Sequence, residues 1–173
     1  MSAAEERLSE VLQAFDFGAP VVGAVRFGQG HINDTFVVHT QPVDACCRRF
    51  ILQRMSPAAF KRPDQLMENI IGVTDYLGRE IEKNGGDRSR EALEVLRTRN
   101  GKPYYTDEAG GAWRVYPFIE RTICCQSAET PELFAASGRA FGRFQRLLQS
   151  YPAETLHETI PHFHDTEDRL AKL

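Results

Sequence analysis

The sequence contains no apolar run near the roughly 20 residues that a membrane-spanning helix requires. Its opening stretch, MSAAEERLSEVL, is acidic and amphipathic, whereas a signal peptide is basic and then apolar. The expectation is therefore a cytoplasmic protein with no membrane attachment. Basic excess is missing too: the net charge is −3 and the arginines are scattered, so nucleic acid is not an expected partner. Cysteine is scarce and oddly placed, as the adjacent pairs Cys46-Cys47 and Cys124-Cys125. That is neither a CxxC motif nor a spread disulfide framework, and reduced thiols are expected. Lysine occurs only at Lys61, Lys83, Lys102 and Lys172, so a cation needed on a central strand has to be an arginine. No Gly-Lys-Ser/Thr triplet exists, which excludes a Walker A loop.

What is present is ordinary globular material, 42% hydrophobic and 26% charged over 173 residues. This suits one domain, or one lobe with an appended helical piece. Leu8, Val11, Leu12 and Phe15 recur at helical spacing, predicting an amphipathic helix over 5–15 that ends near Gly18-Ala19-Pro20. Apolar and β-branched residues from Val21 to Phe27, a glycine-bearing stretch from Gly28 to Asp34, and a second such run from Thr35 to Thr40 predict a hairpin. Arg49 to Met55 reads as a third strand, closed by Ser56-Pro57. Pro63 opens a helix with Leu66, Ile70, Val73, Thr74, Leu77 and Ile81 on one face, and Asn84-Gly85-Gly86 stops it. Runs at 93–98 and 103–106 around Asn100-Gly101, then Ala112 to Tyr116, read as further strands. Thr130 caps and Pro131 starts a long helix to Gln149 carrying Phe134, Phe141, Phe144, Leu147 and Leu148. A last helical stretch begins at Thr166 and reaches Leu173 with no stop signal, as a truncated chain would.

Gly28 and Gly30 lie between two strands, so they do not fit a dinucleotide fold, which needs a helix after its glycines. The remaining phosphate-covering geometry is a strand–loop–strand lid, in which tip N–H groups lie over a nucleotide's phosphates. Gly28, Gly30, His31, Asn33 and Thr35 are the candidate nucleotide-binding residues of that tip, with Asn33, Asp34 and Thr35 setting its curl. The third strand should supply a cation, and Arg54 is the candidate, with Gln53 on the opposite face. A plain turn and a solvated strand-end charge are the competing readings of the loop and of Arg54. In a kinase-like fold an acid on the following helix orients this cation, so a partner for Arg54 is expected there. Glu68 points away from the apolar face, which leaves Asn69 and Glu80 as the better placed candidates.

Five ordered segments carry a family resemblance. They are Phe27-Gly28-Gln29-Gly30-His31-Ile32-Asn33-Asp34-Thr35-Phe36, Arg49-Phe50-Ile51-Leu52-Gln53-Arg54-Met55, Gly111-Ala112-Trp113-Arg114-Val115-Tyr116-Pro117-Phe118-Ile119-Glu120, Ala140-Phe141-Gly142-Arg143-Phe144-Gln145, and Glu158-Thr159-Ile160-Pro161-His162-Phe163-His164-Asp165-Thr166. Together they resemble the aminoglycoside phosphotransferase/choline kinase-like superfamily, most closely the N-acetylhexosamine 1-kinases, from about Val21 to Leu173. The resemblance implies an α+β, protein-kinase-like N-lobe, an antiparallel sheet of about five strands with one packed helix, followed by helices that begin a C-lobe. Residues 1–120 would be the nucleotide-binding lobe and hinge, and 121–173 the start of the second lobe. It implies ATP and Mg²⁺ as cofactors, an N-acetylhexosamine phosphorylated at its anomeric hydroxyl, and adenine held by the backbone at Phe118 and Ile119. The family's catalytic loop reads His-Asn-Asp with a further Asn four residues on, whereas the last asparagine here is Asn100. No catalytic residue or metal ligand is therefore expected in this chain, and they would belong to a missing C-lobe. The alternative is a non-catalytic kinase-like module that binds nucleotide or a protein partner. A third reading, zinc held by His157, His162, His164 and Asp165, competes with a loop ordered by histidine hydrogen bonds.

Overall fold

The computed structural model describes residues 3–28, 30, 32–43, 48–125 and 127–171. His31, Cys46 and Cys47 lie outside the described residues, as do the last residues of the expected C-terminal helix. The fold is α+β. Helix α1 (Ala3–Gln13) precedes strands β1 (Val21–Arg26), β2 (Asp34–Thr40) and β3 (Arg49–Arg54). Helix α2 (Pro63–Lys83), the short α3 (Arg88–Glu91), β4 (Tyr105–Thr106) and β5 (Ala112–Pro117) follow, and then α4 (Pro131–Leu147) and α5 (Thr166–Ala171). The strands form one five-stranded antiparallel sheet in the order β1-β2-β3-β5-β4.

Strand alternation gives the sheet two faces with different fates. The first carries Phe36, Val38, Phe50, Leu52, Trp113 and Val115, which Val11 of α1 and Phe15 just beyond the helix cover to make the main core. Leu8 and Leu12 complete the α1 stripe read from the sequence. The second face carries Thr35, Val37, Ile51, Gln53, Arg114 and Tyr116, as the register pairs Thr35 with Gln53, Gln53 with Arg114, and Ile51 with Tyr116. Helix α2 closes one end of this face, packing Leu66 and Met67 on Met55 and Ala112.

Helix α2 begins at Pro63 and ends at Asn84, as expected, because proline needs no N–H in the first turn and the Asn84-Gly85 pair closes the last. Its C-terminal half packs Leu77 and Ile81 on Ala92 and on Leu147 and Leu148 of α4's end. Thr130 caps α4 through Oγ1, which accepts from Leu133 N. Two expectations need correction. Residues 93–98 form no strand of the sheet and pair with it only at the single bridge of Leu96 to Val115, while Thr98 bridges Phe15 outside the sheet. The ladder partners of β5 are β3 and β4, and the end of the 93–98 run spends its backbone groups elsewhere, Thr98 N on Lys102 O and Arg99 N on Ala14 O. The apolar residues expected to bury α4 also behave differently, for Phe134 is 73% and Phe141 69% exposed and only the helix end is packed.

The segment after α4 is tied back to α2. Asn69 donates through Nδ2 to His157 O at 2.8 Å and accepts His157 N through Oδ1 at 2.9 Å, while the His157 ring meets Glu68 at 2.7 Å. Asn69→Ala removes both amide bonds and is expected to cost about 1–2 kcal/mol locally. Hydrogen exchange at the His157 amide should quicken several-fold. Glu68→Ala, at an exposed pair, should change little. Equal exchange in wild type and Asn69→Ala would show that something else holds the segment.

Candidate functional site

The hairpin between β1 and β2 is built for a tight reversal. Gly28 sits at φ 77°, a left-handed conformation that costs glycine nothing. Both roots of the turn are anchored. On the β1 side Phe27 N donates to Thr35 O at 2.9 Å, and the Phe27 ring meets the Phe118 ring edge-on at 5.9 Å between centroids. On the β2 side Asn33 Oδ1 accepts Ser56 N at 3.0 Å. The glycine-bearing turn, the end of β3 and the residues after β5 are thus brought together.

The strand end after β5 is organised by Arg49. Its guanidinium lies 4.0 Å from the Phe118 ring centroid and pairs bidentately with Glu120, with Nε to Oε1 at 2.8 Å. Hydrogen bonding to Arg49 holds the Glu120 carboxyl below its usual range. Phe118 N donates to Arg49 O and Ile119 O accepts Thr122 Oγ1. Phe118 O and Ile119 N, which point to opposite sides of one trans peptide, make no hydrogen bond to another described residue.

A polar ladder crosses the second face of the sheet. Gln53 Nε2 donates to Thr35 Oγ1 at 3.1 Å, and Gln53 Oε1 accepts Arg114 Nε and a terminal guanidinium nitrogen at 3.2 and 3.0 Å. Arg114 also lies 5.2 Å from the Tyr116 ring centroid and forms no ion pair with a described residue. Burial pushes the Arg114 pKa down from the ordinary arginine value, and burial pushes the Tyr116 hydroxyl up to about 12. A guanidinium remains charged at neutral pH all the same. Arg114 escaped the sequence reading, although strand parity with Gln53 and the lack of lysine were both available to find it.

Arg54 lies on the other face. With Arg7, Leu8, Arg26, Asp34, Phe36 and Trp113 it borders a cleft of about 270 Å³ beside α1. Its nearest carboxylate is Asp34 at 3.9 Å, which bonds Arg26 more closely at 2.8 Å, and its Nε is buried without a partner. The helix partner expected for Arg54 is not there. Asn69 is committed to His157 and Glu80 to Lys83 at 2.6 Å, because the residues flanking α2's apolar face look along the helix and toward the 150s segment. Gln53 does lie opposite Arg54, as alternation requires. Of the expected residues, Gly28 follows Phe27, which links Thr35 through the backbone to the Phe118 ring, while Asn33 is turned to Ser56 N. Arg54 touches the hairpin only through Asp34 at its root.

The histidines near the C-terminus have separate partners: His162 Nδ1 faces Asp165 Oδ2 at 3.1 Å, and His157 faces Glu68. Among the described residues no group of three or more His, Cys, Asp or Glu side chains is arranged to hold a metal ion. No helix among them is long and apolar enough to cross a membrane. A cavity of about 650 Å³ lies between α1 and the Asn100-Gly101 turn, and none of the residues from Gly28 to Thr35 lines it. A comparison with models of known protein families finds no match.

Proposed function

We propose that this chain is the nucleotide-binding lobe of a kinase-like phosphotransferase, with 1–120 forming that lobe and hinge and 121–173 the helical start of a second one. Within that class the motifs favour an N-acetylhexosamine 1-kinase of the aminoglycoside phosphotransferase/choline kinase-like superfamily, which uses ATP and Mg²⁺ to phosphorylate the anomeric hydroxyl of its sugar. The observation that carries the reading is the Phe27–Phe118 contact, which joins the root of the glycine turn to the strand end where an adenine edge would find a backbone partner. Val25, Val37 and Ile51 lie on the same sheet face and supply an apolar surface beside them. The residues fit the group: one group of the Phe118–Ile119 peptide, its N–H or its carbonyl, suits an adenine edge, the N–H groups of the Gly28–Gly30 turn suit phosphate oxygens, and a guanidinium from the sheet suits the phosphate charge. Bound ATP would supply the transferable phosphoryl group. This chain's residues orient it and shield it from water on one side.

A second reading takes residues 1–173 by themselves as a non-catalytic module that binds nucleotide or a protein partner. No His-Asn-Asp stretch follows the strand end, since no asparagine occurs after Asn100, and His164-Asp165 lacks the asparagine that holds metal in such loops. NMR titration of the purified chain tests the common part. ATP should bind with a dissociation constant on the order of 0.1 mM, shifting the amides of Phe118, Ile119 and Gly28. No shifts at millimolar ATP would end the nucleotide reading. Sugar 1-phosphate formed from N-acetylglucosamine by this chain alone would eliminate the non-catalytic one.

A further inference from the structure

We infer that Arg114 of β5, rather than Arg54 of β3, is the guanidinium that meets the nucleotide's phosphates, with Gln53 and Thr35 holding it in place; this rests on the nucleotide reading above. The argument is one of faces. A ligand held by the backbone at Phe118 and Ile119 and covered by the Gly28 turn lies on the side of the sheet where the Phe27 and Phe118 rings meet. Arg49, whose guanidinium sits over Phe118, marks that side, and strand alternation puts Ile51 and Gln53 with it. The register then adds Arg114, paired with Gln53.

The opposite side is closed to such a ligand. Phe50, Leu52, Val38 and Val115, which would have to flank the adenine there, are buried beneath α1. Arg54 opens only into the cleft beside Arg7 and Trp113, and Asp34 already offsets part of its charge.

Arg114 has what a phosphate-binding cation needs. It is half-buried, where water screens its charge weakly, and it is charge-uncompensated, since its only hydrogen-bond partner among the described residues is a neutral amide oxygen. An amide acceptor fixes the planar group without neutralising it and leaves donors free for bidentate contact with an oxyanion. Gln53 is itself oriented by the Thr35 hydroxyl. The three residues, one from each of β2, β3 and β5, run from the root of the glycine turn across the sheet. Thr35 and Gln53 are positioning residues in this scheme, and Arg114 touches the ligand.

The test uses ATP and adenosine as separate probes on the full chain. Arg114→Met should weaken ATP binding roughly 10–100-fold, the loss expected for a charge-assisted bond, and leave adenosine binding within about twofold, since only the phosphates meet the side chain. Arg54→Met should leave both unchanged. Native amide dispersion in the variant's spectrum establishes that it is folded, and Arg114→Gln replaces it should the methionine variant not fold. ATP affinity retained in the Arg114 variant and lost in Arg54→Met would overturn the assignment while leaving the nucleotide reading intact. Equal losses for ATP and adenosine would overturn it by showing a merely structural role. No ATP binding by the wild-type chain would sink both.

Discussion

Phe15→Ala is expected to lower the unfolding free energy by about 3–5 kcal/mol, the range for emptying a fully enclosed aromatic site. Phe15 is wholly buried, and its ring lies 6.3 Å from that of Phe17, which packs edge-on against Phe50 of β3 at 5.0 Å. Its backbone bridges Thr98, and the neighbouring Ala14 O accepts Arg99 N at 2.9 Å, so the site cannot collapse by moving the chain alone. Urea unfolding should show a lower midpoint at an unchanged slope, the signature of lost stability in an otherwise intact fold. A loss below about 1 kcal/mol would mean that the segment following α1 is not integral to the core.

The second large effect concerns Asp107, in the turn between β4 and β5. It is 4% exposed, and its two oxygens accept Gly111 N at 2.6 Å and Trp113 Nε1 at 2.8 Å. Gly111 is required there, because an added Cβ would stand 2.7 Å from Asp107 Oδ2 and 2.9 Å from Arg54 Nε. Burial alone pushes the Asp107 carboxyl up, but the donors Trp113 and Gly111 outweigh it, and the net position lies below the usual carboxylate value. A folded-state pKa below the unfolded one gives stability that is present above the ordinary carboxylate range. That stability is lost as pH falls through the folded value. Asp107→Ala leaves two buried donors without an acceptor and should cost about 3 kcal/mol at pH 7. The gap between variant and wild type should narrow on acidification from about pH 5 downward. Emission from the chain's one tryptophan, Trp113, reports unfolding directly. A gap that does not change with pH would show that Asp107 acts through shape rather than charge.

Much of the frame could be read in advance because local chemistry decided it. Pro63 and Asn84-Gly85 bound α2, Thr130 caps α4, and the Leu8, Val11, Leu12, Phe15 stripe found the sheet. The strand over 93–98 was not foreseeable as a failure, since its apolar residues match the pattern and its far end is drawn to Lys102 and to the residues after α1 rather than along β5, a tertiary fact. The site was legible by halves. Parity correctly separated Gln53 from Arg54, but which face the ligand side would be depends on α1 covering the other, a tertiary fact. Hence Arg54 drew attention and Arg114 did not. The partner sought for Arg54 on α2 failed for a similar reason: a helical projection gives the angle of Asn69 but not the distant His157 peptide that claims it.

The bond from Ser56 N to Asn33 Oδ1 has a mechanical corollary. Ser56 O in turn accepts Phe60 N at 2.9 Å, and Phe60 packs against the cluster of Leu66 and Met67 at the start of α2. A push on the β2 root of the glycine turn therefore has two outcomes only. It snaps one hydrogen bond, or it drags the Ser56–Phe60 knuckle and levers the front of the long helix.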